Sequence, residues 1–210
     1  MQGLGMMFLT DNEKQKIADA IETAERKSTG ELVTVVARAA DSYRYIPLLW
    51  PALIALLLPG VLLIFAPDLA VIKVYAAQVG LFVILELILL VPSVRMAVIP
   101  KSVKHRRARR LAREQFFAQG LHLTRDRTGV LIFVSVAERY VEIIADAGIN
   151  AKVPPGSWDK MVTDFVTQVR ARHVADGFLA VVKSTGDLLA EHFPRPDDYL
   201  DELPNHMIEI

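Results

Sequence analysis

The sequence predicts a small α/β or α+β sandwich, with a mixed sheet covered by helices on both faces, that is split by a two-helix transmembrane hairpin. Three observations predict this. Segments of helical period alternate with short β-branched runs. Two stretches, 46–66 and 71–91, are each 21 residues long and nearly free of charge. Directly behind them comes "KSVKHRRARRLAR", with seven basic residues and no acid.

The elements follow in order. "LTDNEKQKIADAIETAERKSTG" is an amphipathic helix. Thr10 and Glu13 form a capping box, each satisfying an amide that the first turn leaves open. Ile17, Ala20, Ile21 and Ala24 recur at helical spacing. Gly30 is expected to stop this helix as a left-handed cap. "ELVTVVAR" alternates and is β-branched, so it reads as a strand. After the hairpin, residues 102–120 are helical, with Val103, Leu111, Phe116 and Phe117 as apolar contacts and Gly120 as the stop. "TGVLIFVSV" is almost wholly apolar, which suits a strand covered on both faces. "AERY" is a tight turn and "YVEIIAD" the returning strand. "WDKMVTDFVTQVRARH" is a helix with Ser157 as its expected N-cap. "DGFLAVVKSTGDLLAEHF" is the last helix. The 194–210 tail is acidic and carries three prolines, so it is expected to be loosely ordered. The soluble domain thus comprises 1–45 and 99–193, and the hairpin 46–98. Its expected core is Ile17, Ile21, Val33, Val35, Leu131, Phe133, Ile143, Phe165 and Val182. The first strand should pair in parallel with "TGVLIFVSV" across the inserted segment.

At 1.5 Å per residue, each apolar stretch is about 31 Å long, which matches a hydrocarbon core of ~30 Å. "PDLA" between them is only a turn. Residues 46–98 carry four charged groups, Asp68, Lys73, Glu86 and Arg95. Lys and Arg in short loops stay on the cytoplasmic side. Lys101, Lys104, Arg106, Arg107, Arg109, Arg110 and Arg113 therefore read as an orienting cluster, with Arg38 and Arg44 on the same side. The expected location is the bacterial inner membrane, multi-pass, with both termini and the soluble domain cytoplasmic. Lys73 near the turn is a small counter-signal. The same cluster favours anionic headgroups. A solvated helix face and a nucleic-acid grip are the other readings of it, and no aromatic interleaving supports the last.

The chain has 210 residues, 24 basic and 24 acidic, and no cysteine. Disulfides, cysteine-ligated zinc, iron–sulfur clusters and thiol catalysis are therefore excluded. Its N-terminus has no basic stretch leading into a long apolar run, so no cleavable signal peptide is expected. None of the five histidines makes an HExxH-like spacing, Ser135 and Ser157 lack a nucleophile-elbow context, and no phosphate-binding glycine motif occurs.

The order of elements resembles the TPM domain, a family named after a thylakoid lumen protein, a photosystem II repair factor and a worm neuronal membrane protein. The resemblance rests on Leu9-Thr10 followed by "IETAERKSTGELVTVVA", and on "TGVLIFVSVAERYVEIIADAGI" at 128–149. Gly30, Gly129, the "AER" turn and Gly148 are its most specific points. It is similar in particular to a bacterial subgroup with a transmembrane insertion at this position. The resemblance implies an α/β fold, a Rossmann-like α/β/α sandwich. From some plant relatives it also implies phosphatase-type hydrolysis, calcium binding and a role in photosystem repair. Those relatives often place an Asp-Asn pair before the strand glycine. Here Arg127-Thr128 stand before Gly129, with Asp126 one step further back, while Asp146 keeps its place.

Asp126, Glu142 and Asp146 are the candidate metal ligands, with calcium as the candidate ion, because they are the acids nearest the loop ends of the sheet. A calcium site needs six or more converging oxygens, and three scattered acids more simply serve as solvated carboxylates. Glu86 is the one acid inside a span. It either reaches the nearby cytoplasmic interface or faces a partner. No catalytic set converges, so the expected function is a membrane-anchored, cytoplasmic-facing binding or assembly module without a cofactor. A phosphatase-type hydrolase is the alternative. The expected partners are an anionic bilayer surface, a membrane protein and another copy of the chain, but not nucleic acid.

Overall fold

The computed structural model describes residues 9–196 and 207–210. The chain forms two compact units, Met1–Ala40 with Ala108–Ile210, and Asp41–Arg107.

The first unit is a mixed α/β layer structure. Its sheet has the order β3-β2-β1-β4. β1 (Glu31–Ala37) pairs in parallel with β2 (Gly129–Ser135), from Glu31 opposite Gly129 to Ala37 opposite Ser135. β3 (Tyr140–Ala145) returns antiparallel to β2. Every residue of β1 and β2 is buried, as expected for strands covered on both faces. Strand alternation divides their side chains between two cores. Leu32, Val36, Val130, Ile132 and Val134 face α1 (Asp11–Glu25), α7 (Ser157–Arg170) and α8 (Val174–His192). Val33, Val35, Ala37, Leu131 and Phe133 face α5 (Lys101–Ala118) through Ala108, Ala112 and Phe116. Helices therefore cover both faces, which gives the α/β/α sandwich. All nine expected core residues are buried.

Local expectations hold at α1, where the Thr10–Glu13 capping box forms, and at Gly120, which is left-handed with φ 73°. Four expectations need correction. α1 ends at Glu25, five residues before Gly30. Gly30 serves packing instead, because a Cβ there would lie 2.8 Å from Leu189 Cδ1. The N-cap of α7 is the left-handed Gly156, while the Ser157 hydroxyl donates to Pro154 O at 2.9 Å. Phe117 is 60% exposed, and the small Ala108 and Ala112 make the contacts expected of larger residues.

The fourth correction is the tail. Arg195 donates its amide to Lys27 O. Met207–Glu209 forms β4, parallel to β1, with Ile210 N donating to Val36 O at 3.0 Å and Arg38 N donating to Ile210 O at 2.8 Å. The buried strand β1 needs partners for its outer row of backbone groups, and the C-terminal residues supply them. The rest of the tail, 197–206, lies outside the described residues.

In the second unit, α2 (Tyr45–Phe65) continues through Pro51 and Pro59 and packs along α3 (Val71–Leu89). A short α4 (Pro92–Val98), which the sequence does not announce, then leads to α5. Tyr43, Ile46 and Ile99 form a small core at the base of this unit. Both long helices are apolar and long enough to cross a membrane. Only 11% of the residues in Leu48–Phe65 are buried, and α3 buries Leu89 alone. A core helix of a soluble protein would be mostly buried, and neither of these is.

Candidate functional site

The turn that leads into β2 is held by a series of side-chain and backbone hydrogen bonds. Gly120 turns the chain out of α5 into a single 3-10 turn, Leu121–Leu123. The Thr124 hydroxyl donates to Leu121 O at 3.2 Å and accepts from Thr128 N at 3.0 Å. The Thr128 hydroxyl donates to Thr29 O, and Glu31 N donates to Thr128 O. These bonds hold the turn against the start of β1. The approach is close enough to require two glycines. A Cβ on Gly129 would lie 2.3 Å from Leu121 O, and one on Gly148 would lie 2.3 Å from Asp126 O.

Arg127 sits in this turn at φ 56° and reaches Asp146, which is 5% exposed. Its Nε donates to Asp146 Oδ2 at 2.7 Å and its Nη2 to Oδ1 at 2.8 Å. The Ala147 amide donates to the same Oδ1 at 2.7 Å, which makes Asp146 the N-cap of α6 (Ala147–Asn150). The hydrogen bonds and charge of Asp146 hold the Arg127 guanidinium still more firmly in its charged form. This two-pronged geometry is the strongest form of arginine–carboxylate pairing.

The other candidate acids lie elsewhere. Asp126 is exposed. Glu142, in mid-β3 opposite Phe133, accepts from Tyr140 Oη at 2.9 Å and pairs with Arg109 at 3.4 Å. Burial, and after it the Glu142 carboxylate, pushes the Tyr140 hydroxyl above the ordinary tyrosine range. Among the described residues, no group of three or more His, Asp or Glu is placed to hold a metal ion. Both oxygens of Asp146 already accept from the chain, one of its partners being a cation. The residues present do not fit calcium.

Two polar groups escaped the sequence reading. Glu138, in the "AER" turn, is 3% exposed. It accepts from the buried Ser135 hydroxyl and, through Oε1, from Ala40 N at 3.1 Å. It thereby ties the end of β1 to the β2–β3 turn. Glu25, at the end of α1, accepts from Leu32 N at 2.8 Å. A glutamate in a turn or in a last helical turn normally reads as solvated, so neither carried a local signal.

The basic run divides along α5. Lys104 Nζ donates to Met96 O, and Arg107 pairs with Asp41 at 3.3 Å. Arg110 pairs with Glu114 at 2.7 Å. Lys101, Arg106 and Arg113 point outward and are exposed. Glu86 is half-buried on α3. Ser157 is engaged with Pro154 and Ser135 with Glu138, so neither is presented as a nucleophile.

Comparison with known proteins adds the following. The chain is similar to the BA42 protein of the psychrophilic bacterium Bizionia argentinensis, whose NMR structure superposes with a TM-score of 0.62. The match covers 100% of this chain and 99% of that one at 20% identity, so it speaks for the fold alone. No curated protein matches. The family model of the TPM domain matches residues 92–188, from α4 through most of α8. The segment around β1 lies outside that match, and the "TGVLIFVSVAERY" strand pair and the Asp146–Gly148 turn lie inside it. Over residues 92–188 the chain is similar to the TPM domain.

Proposed function

We propose that this chain is a membrane-anchored binding or assembly module, its soluble domain facing the cytoplasm and without chemistry of its own. The observation that carries the reading is the Arg127–Asp146 pair. At the turn where relatives offer acids, this chain turns Asp146 inward onto its own Arg127. The serines are equally engaged, so the polar side chains around the sheet hold the fold together. The apolar, exposed helices α2 and α3 support the anchor, and the basic start of α5 supports the orientation. On this reading the partners are an anionic bilayer and a membrane protein or a second copy of the chain, and no cofactor is held.

Carbonate washing of membranes should leave the protein in the pellet, and its release would remove the anchor. A periplasm-active reporter fused after Ile210 should stay silent. The purified protein should not hydrolyse a generic phosphomonoester, with or without calcium. Turnover lost on Asp146→Ala would instead favour the phosphatase alternative. Calorimetry with calcium should give no saturable heat. Crosslinking in native membranes, read by mass spectrometry, would identify the partner.

A further inference from the structure

We infer that the outer face of α5, with the turn that follows it, is a second membrane contact. It would lay the soluble domain on an anionic lipid surface, independently of the hairpin. This rests on the membrane reading above and adds a docking face to it.

The first observation is an apolar corner where a soluble surface should be polar. Phe117 is 60% exposed and Leu123 is 74% exposed. The Phe117 ring meets the edge of His122 at 5.0 Å between centroids. Leu121 is fully buried beneath, and Leu123 N donates to Gly120 O at 2.8 Å. The corner is therefore held by a packed turn. An exposed apolar side chain is ordinary by itself, and this corner stands out because Phe117 and Leu123 lie at the end of a basic helix face.

The second observation is charge. Arg110, Arg113 and Phe117 are spaced i, i+3 and i+7 and lie on one helical stripe. It is opposite the buried Ala108, Ala112 and Phe116. The Arg109 and Arg110 side chains are 59% and 70% exposed even while paired, and a guanidinium has donors to spare for a phosphate. From 108 to 125 there are four arginines against the single acid Glu114. Arginines beside protruding Phe and Leu are the composition of a helix that lies in a membrane interface. Nucleic acid would use the same charges but has no use for the apolar corner, and the chain already carries apolar helices within a few residues of α5. Those two facts select the lipid surface.

The chain has no cysteine, so one introduced thiol can be labelled uniquely. Full-length Leu123→Cys and Lys160→Cys, each labelled with NBD, are placed in nanodiscs of neutral or part-anionic lipid containing nitroxide-labelled lipid. Lys160 is exposed on α7, across the sheet from α5. Co-elution of chain and disc tests the anchor alone. We expect blue-shifted, quenched emission at Leu123→Cys in anionic discs and an unquenched label at Lys160→Cys. Each arginine near an anionic surface should strengthen the contact about 5-fold, so Arg110→Gln with Arg113→Gln should weaken it about 30-fold. Equal quenching at the two sites in an anchored chain overturns the inference and leaves the anchor standing. A response to short duplex DNA in place of anionic lipid overturns it too. If the chain does not enter discs, the anchor fails, and the same label on anionic vesicles decides the surface contact by itself.

Discussion

Two regions of this molecule use nearly the same residues in opposite ways. In the sandwich, Leu32, Val36, Ile132 and Val134 are buried between helices. In the hairpin, Leu56, Leu57, Leu63, Ile64 and Ile72 are among the most exposed large apolar residues described. The polar groups show the same reversal. The sandwich buries Glu138, Asp146 and Ser135 and gives each a hydrogen-bond partner. The apolar window Leu48–Phe65 carries no charged residue at all. Water drives apolar groups inward, which accounts for the sandwich. The exposure of the hairpin is what the proposed anchor explains, because lipid exerts no such drive and requires only that the backbone bond to itself.

The largest test of this contrast removes one region. Deleting Asp41–Arg107 and joining Ala40 to Ala108 through a Gly/Ser linker should give a soluble, cooperatively melting protein. Ala40 and Ala108 pack in the same core cluster, and a flexible linker of n residues reaches ~5–6 Å times the square root of n. Expression only as aggregates, or a melt without a transition, would show that the sandwich cannot stand alone.

Glycines sharpen the comparison. Gly129→Ala should destabilise the sandwich by about 3 kcal/mol, read by chemical denaturation, because the new methyl meets a backbone carbonyl that cannot move aside. Gly80 has nothing within 4 Å of an added Cβ. Gly80→Ala should therefore cost nothing and, in mid-helix, stabilise by up to about 1 kcal/mol. Equal effects at the two positions would erase the difference in packing.

Between these lies Tyr140→Phe. Losing the hydroxyl bond to Glu142 should cost about 1 kcal/mol at neutral pH. The folded state holds the Tyr140 proton above the ordinary tyrosine range. Its contribution is full below pH about 10 and declines as pH rises further, because the unfolded chain releases the proton first. Tyr140→Phe should flatten that alkaline decline, and an unchanged slope would locate the decline elsewhere.

Much of the fold was legible because its signals are local. The Thr10–Glu13 box, the apolar run of β2, the helical spacing of Ile17 and Ile21 and the two long spans each sit in one stretch of sequence. What was missed depends on neighbours far along the chain. Gly30 looked like a helix stop, but it lies beyond the end of α1 and packs against Leu189. Phe117 read as core, but it is exposed, and Ala108, Ala112 and Phe116 make the contact of α5 with the sheet. The tail's composition suggests looseness, yet its last residues complete the sheet.

The site divides in the same way. Asp146 could be singled out from the sequence, because its acid falls where a strand ends before a glycine. Its state could not, because its partner Arg127 is nineteen positions away and comes within reach only when β2 and β3 pair. The sequence by itself determined which residues are apolar, with what period and for what length, since those are properties of neighbouring side chains. Only the tertiary structure decided which carboxylates are neutralised from within, which glycines are indispensable and which strand closes the sheet's edge. Each of those is a contact between segments that chain connectivity alone does not bring together.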